Sequence, residues 1–185
     1  LLHHPADLVG ISSNQLLSAL AGVRDSGLVE HVGASIYNPS DLDIHINTDI
    51  FDLVQAPLNI LDRRAVDCGL IDRMHNLGIE VHIRSVFLQG LLLMPIALVP
   101  SYFKPWLHLL ERWHSWCDEL GVTPLQAALA HVRSSVPGAK IVIGCDNPKQ
   151  FVGILEASLH PPLLAPTELS YGDPHLVNPT LWSST

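Results

Sequence analysis

Ser35 and Gln55 each close a short apolar segment. A hydroxyl and an amide at matched strand ends are suited to orient an amide-bearing ligand through several hydrogen bonds. His3 ends the opening stretch Leu1-Leu2-His3, where an imidazole can hydrogen-bond a carbonyl oxygen and stabilise charge developing on it. His4 is equally available, and a solvent-facing or satisfied core histidine is the plainer reading of both. In Gly78-Ile-Glu-Val-His-Ile-Arg-Ser-Val-Phe-Leu-Gln-Gly90, Arg84 and Ser85 leave a strand for a loop whose backbone N–H groups are candidates to hold a pyrophosphate. A core loop with Phe87 packed inward is the competing reading. Asp62, Arg63 and Arg64 read as a helix start with local ion pairs rather than as catalytic groups. No metal site is expected, because the 11 histidines form no compact ligand set. Asp72 and His75 share a helical face without a third ligand nearby, which describes a solvated face.

Single polar residues at the ends of several strands are how a (β/α) barrel builds an active-site rim. The elements agree. Strands are expected near residues 1–3, 31–36, 51–55, 79–84 and 140–144, the first closed by Pro5, with Asp7 placed to cap a following turn. Between them, Leu16, Leu17, Leu20 and Val23 fall at helical spacing over 14–23, with Gly27 as a stop. A short helix opens at Asn38-Pro39-Ser40, and a longer one is expected over 61–77, weakened at Gly69 and ended by Gly78. Residues 85–100 are loop-like. Trp106, Leu109, Leu110, Trp113 and Cys117 then form one stripe of a helix over 102–120, stopped by Gly121. Thr123, Pro124 and Gln126 have capping-box spacing before an alanine-rich helix, and Pro148 opens the last helix. Strands and helices alternate without a hairpin signal, which predicts a parallel sheet with helical crossovers. A doubly wound sheet would bring a glycine-rich phosphate loop, and neither Gly33-Ala-Ser35 nor Gly144-Cys-Asp146 supplies one.

A complete barrel needs about 250 residues, and this sequence has 185. It opens on an apolar strand without Met, so it reads as entered in mid-fold: residues 1–160 as the C-terminal portion of a barrel, 161–185 as an extended tail packing on it, pinned by a buried Trp182. A hydrophobic content of 48% suffices for a real core. A net charge of −8 with only 10 Lys plus Arg argues against a nucleic-acid surface. Three cysteines, Cys68, Cys117 and Cys145, lie far apart and fit a reducing cytoplasm. The longest apolar run, 91–99, is about half a membrane span and holds Pro95, so no membrane segment or secretory leader is expected.

The ordered series Leu2-His-His-Pro5, Gly27-Leu-Val-Glu-His-Val-Gly-Ala-Ser35, Asp52-Leu-Val-Gln55, Asn59-Ile-Leu-Asp-Arg-Arg64, Gly78 through Leu91, Thr123-Pro-Leu-Gln-Ala-Ala-Leu-Ala130 and Ile143-Gly144 with Pro148 and Gln150 resembles the C-terminal portion of the aldo-keto reductase family. The run Asn59-Ile-Leu-Asp-Arg-Arg64 resembles a bacterial branch in particular. The resemblance implies a TIM barrel, (β/α)8, of which the chain covers about the fourth to eighth strands. It also implies reduction of an aldehyde or ketone with NADP or NAD.

On that resemblance His3 falls on the catalytic histidine, Ser35 and Gln55 on groups that hold the nicotinamide carboxamide, and Ser85 and Leu88 on the loop approaching the pyrophosphate. Arg84 stands where an aromatic ring commonly stacks on nicotinamide, and Ile36 where a carboxamide-binding asparagine is usual. Gly144-Cys145-Asp146 replaces a basic or hydroxyl set after the last strand, and Ile154 a late asparagine that contacts adenine. Gly144 remains a candidate cofactor contact, a preference for the 2′-phosphate is unsupported, and Asp146 would disfavour it. The family's proton-donating tyrosine and its aspartate and lysine partners come from the first three strands, and none of Tyr37, Tyr102 and Tyr171 matches that motif. The expected activity is therefore that of a full-length cytoplasmic oxidoreductase acting on a small carbonyl substrate. The alternative is a non-catalytic barrel homologue serving as a binding or regulatory subunit. An arc of strands would leave two apolar edges, so the missing N-terminal half of the barrel or a homo-oligomeric partner is expected to cover them.

Overall fold

The structure, a computed structural model, describes residues 1–3, 7, 13–42 and 50–182. His4, Pro5 and the turn expected after Asp7 lie outside the described residues. In chain order the elements are α1 (Ser13–Asp25), β1 (Gly33–Ser35), β2 (Leu53–Pro57), α2 (Arg64–Asp67), α3 (Leu70–Asn76), β3 (Glu80–Arg84), α4 (Leu107–Leu120), α5 (Pro124–Ser135), β4 (Lys140–Ile141), α6 (Pro148–Ser158) and α7 (Pro174–Val177), with short 3-10 turns between. The chain divides into two compact units. One comprises Leu1–Pro57, Arg64–Arg84 and Ala139–Ile141, the other Leu58–Arg63, Ser85–Gly138 and Val142–Thr185.

The first unit is built on a sheet of order β1-β2-β3-β4 whose neighbouring pairs are all parallel. Residues 1–3 contribute a bridge rather than a full strand: Leu2 pairs in parallel with Ala34, donating to the Gly33 carbonyl and accepting from the Ser35 N–H, both at 2.8 Å. The last strand is shorter than its apolar run predicts, because only Lys140 and Ile141 join the ladder, opposite His82 and Ile83. One face of the sheet is dry, with Ala34, Val54, Ala56, Val81 and Ile83 each at most 3% exposed. Helix α1 lays Leu16, Leu17 and Leu20 against Val32, Ala34 and Phe51. Val23, expected in that stripe, is instead 40% exposed.

Gly33 is there because a Cβ would run into the Leu53 carbonyl oxygen and side chain on the neighbouring strand. Asp52 ties the strand entry together: it accepts from the Val32 N–H at 2.8 Å and from Arg24 at 3.2 Å. The Val32 bond, with Arg24 behind it, holds its carboxyl below the usual range. The single helix expected over 61–77 is two, since Gly69 adopts a left-handed φ of 72° between α2 and α3.

In the second unit, α4 begins at Leu107 rather than at Tyr102, because the 3-10 turn Ser101–Trp106 carries Pro105. Its buried stripe is Leu109, Leu110, Trp113 and Cys117. Trp113 is fully buried and satisfies its indole N–H on the Leu92 carbonyl at 2.9 Å. Burial pushes the Cys117 thiol up to about 12, so it is inert packing. Thr123 and Gln126 form the expected capping box on α5, and Asn147 caps α6 through the Gln150 N–H. The tail is less irregular than its prolines predict: single turns occur at Thr167–Leu169, Pro174–Val177 and Pro179–Leu181. Trp182 is half-buried, not buried. It donates to the Leu176 carbonyl at 3.1 Å and meets the Phe103 ring edge-on at 4.8 Å.

Candidate active site

Backbone register decides which side chains share the sheet's second face. Ser35 pairs with Gln55, Gln55 with His82, and His82 with Lys140. Residues in register point to one side of a sheet, so four polar side chains cross four parallel strands in a single row. By the period of two, Glu80 and Arg84 flank His82 on that face.

Ser35 is buried, and its hydroxyl donates to Gln55 Oε1 at 3.4 Å. With its oxygen engaged, the Gln55 amide presents its NH2 group as a donor. Beside it, His82 Nε2 lies 2.6 Å from Glu80 Oε1, and Lys140 Nζ reaches the same oxygen at 2.5 Å. Lys140 first and His82 second hold the Glu80 carboxyl below its ordinary range. A carboxylate only accepts, so His82 Nε2 carries a proton toward Glu80, and in the neutral tautomer that this selects Nδ1 is an acceptor.

At the C-terminal end of β3, Arg84 Nη2 donates to the Ile36 carbonyl at 2.7 Å and the guanidinium lies 4.5 Å from the centroid of the Tyr37 ring. Stacking and hydrogen bond together fix the orientation of the guanidinium plane. Ile36 is fully buried, one residue out of phase with Ser35, so its side chain belongs to the apolar core and offers a ligand nothing. His3 is exposed in a bend one residue beyond the Leu2–Ala34 bridge, and it does not continue the pairing.

The loop that follows β3 belongs to the second unit. Ser85, Leu88 and Gln89 hold left-handed φ values of 60°, 46° and 55°, a conformation costing a non-glycine residue about 1–3 kcal/mol. The buried side chain of Asn59 helps impose it, donating to the Ser85 carbonyl at 3.1 Å while its own oxygen caps the N–H groups of Leu61 and Asp62 at 2.9 Å. The Leu88 N–H is spent on the Ser85 carbonyl and that of Gly90 on Phe87, both at 2.9 Å, and the Leu88 side chain is fully buried. Leu88 therefore shapes this loop. Gly144 lies exposed in the link between β4 and α6.

Arg63, expected to pair locally, also reaches much further. It is buried and donates to the carbonyls of Ala165 at 3.1 Å and Pro166 at 2.6 Å. A cavity of about 680 Å³ in the first unit is lined by Asn38, Ser40, Arg64, Asp67, Cys68 and Arg73, and includes none of the row. Among the described residues no group of three His, Cys, Asp or Glu is placed to hold a metal ion. No helix among them is long and apolar enough to cross a membrane.

The motif reading passed over Glu80, His82 and Lys140. The alternation Glu80-Val-His-Ile-Arg84 carried the signal, since it places three polar groups on one face of a strand whose other face is apolar.

The sequence model of the aldo/keto reductase family matches residues 2–167. The chain belongs to this family. Among solved structures, an aldo-keto reductase from Bacillus halodurans is similar at 17% identity in both its forms. Its apo form gives a TM-score of 0.69 over 94% of this chain and 62% of the other. The holo form gives 0.65 over 91% and 59%. The glycerol dehydrogenase AKR11B4 from Gluconobacter oxydans is 18% identical, with a TM-score of 0.64 over 90% of this chain and 54% of that one. At such identities the likeness is one of fold: an α/β arrangement related to the reductase barrel, of which four strands are present among the described residues. The chain spans between 54% and 62% of the length of these relatives. A search of curated protein sequences gave no match.

The row fits a nicotinamide on its chemistry. A donor NH2 at Gln55, backed by the buried Ser35, is what a carboxamide oxygen requires.

Proposed function

We propose that the whole protein is an oxidoreductase that reduces a small aldehyde or ketone with a nicotinamide cofactor, and that these residues form the C-terminal portion of its barrel, about the fourth to eighth strands. The observation that carries this reading is the Ser35–Gln55 hydrogen bond across adjacent parallel strands in a chain of the reductase family. Ser35 and Gln55 hold the carboxamide. Arg84 lines the ring, Ser85 and Gly144 serve the phosphate side on a loop whose shape Leu88 holds, and His3 faces the substrate carbonyl oxygen. The nicotinamide supplies hydride when bound; the chain's residues bind, orient and polarise. Residues 1–160 make the barrel portion and 161–185 its tail, and the protein works in the cytoplasm.

Asp146 disfavours a 2′-phosphate by charge, so NAD is preferred over NADP. Titrating the protein with NADH and NADPH while following cofactor fluorescence tests both statements. Binding of NADH is expected; no binding of either defeats the reading, and tighter binding of NADPH overturns the role given to Asp146.

A second reading, a non-catalytic barrel relative acting as a binding or regulatory subunit, is favoured by the commitment of Arg84 to the Ile36 carbonyl and the Tyr37 ring. Cofactor binding without oxidation of NADH or NADPH by any of a panel of aldehydes and ketones would select it.

A further inference from the structure

Ile36 stands where the family resemblance places an asparagine, and its fully buried side chain cannot bond a carboxamide. The row supplies an alternative. Gln55 offers a donor NH2, and His82, its register partner on β3, offers Nδ1 as an acceptor because Glu80 occupies Nε2 at 2.6 Å. A primary carboxamide is the complement of that pair: its oxygen accepts from Gln55 and its NH2 donates to His82. We propose that His82, oriented by Glu80, is a binding residue that completes carboxamide recognition in place of the lost asparagine.

The groups around it set its orientation. Glu80 lies on its own strand, Lys140 on β4 shares the Glu80 oxygen at 2.5 Å, and Gln55 and Ser35 continue the row on β2 and β1. Lys140 neutralises the carboxylate without displacing the imidazole. Glu80 therefore fixes the ring tautomer while one acceptor is kept for ligand. This inference rests on the nicotinamide reading above and adds a discriminating prediction: a ligand with a carboxylate instead of a carboxamide has no N–H to give His82.

The test compares NAD+ with its deamidated analogue, nicotinic acid adenine dinucleotide, by calorimetric titration of the intact protein and its His82→Ala and His82→Gln variants. Wild type is expected to bind NAD+ the more tightly. His82→Ala should lose about tenfold in affinity for NAD+, the scale of one net hydrogen bond. It should change little toward the deamidated analogue. His82→Gln, which keeps an acceptor, should recover part of the loss. Because a substitution at a half-buried strand position can impair folding, imidazole 15N shifts of the wild-type protein provide a second readout: Nδ1 of His82 should move on adding NAD+. Equal loss for both ligands, or a silent Nδ1 while Ser35 and Gln55 resonances shift, overturns the role of His82 and leaves the cofactor reading standing. Absence of any binding by the wild type overturns both.

Discussion

At the scale of single residues, the buried Ser35 and the half-buried Gln55, hydrogen-bonded across adjacent strands, carry the functional reading, and a buried histidine reports on stability. Replacing Gln55 with Ala removes a donor from the row, and the Kd for NADH measured by fluorescence should rise about tenfold, one net hydrogen bond. Ser35→Ala removes the group that engages the amide oxygen and should give a smaller loss in the same titration. His131 is a different case. It is 2% exposed, its Nδ1 accepts from the Ala165 N–H at 3.2 Å, and burial first, Arg63 second, lower its pKa from 6.5 to about 4. The folded state thus resists a proton that the unfolded chain accepts. Stability is full above about pH 6.5 and falls as pH drops toward 4, by at most about 3 kcal/mol. Urea denaturation at pH 7 and pH 4.5 should show a steeper loss for the wild type than for His131→Asn, which cannot take up that proton.

At the scale of elements, stability depends on specific termini and close approaches. Thr123→Ala removes the side-chain half of the capping box on α5, the Gln126 N–H to Thr123 Oγ1 bond, while the Thr123 N–H to Gln126 bond remains; it should cost about 0.5–2 kcal/mol in a thermal melt. Gly33→Ala forces a methyl against the Leu53 carbonyl on the adjacent strand and should cost about 1–3 kcal/mol as overpacking, with cofactor affinity falling in parallel because β1 carries Ser35. The tail is held by Arg63, which bonds the carbonyls of Ala165 and Pro166, by the Ala165–His131 bond, and by bonds from Leu163 to Ser134, Tyr171 to Leu61, Tyr102 to His175 and Trp106 to Asp173. Trp182 is half-buried, so Trp182→Ala should cost well under the roughly 3–5 kcal/mol of a fully buried ring. Caps, glycine stops and the α4 stripe were legible because each is a local rule of spacing. The break at Gly69, the late start of α4 and the reach of Arg63 were not, since they depend on which partners the rest of the chain brings up.

At the scale of the whole molecule, α6 leaves Phe151, Val152 and Leu155 between 50% and 52% exposed on one helical face, and its C-cap Leu159 is 82% exposed. An apolar stripe of that kind promotes association. Sedimentation of the 185-residue chain should show self-association that the double change Phe151→Glu, Leu155→Glu suppresses. The sequence by itself determined the alternation of strands and helices, the parallel sense that alternation imposes, the family, and the polar character of Ser35 and Arg84 at strand ends; Gln55, expected to end a strand over 51–55, is instead the middle residue of β2. These follow from periodicity, chain connectivity and residue chemistry, which act over a few neighbours. Only the tertiary structure decided that Gln55 stands beside His82 and His82 beside Lys140. Parallel strands are joined by crossovers rather than tight turns, so their register is set by how the apolar faces pack. A slip of one residue would turn His82 into the core, and the row would not exist.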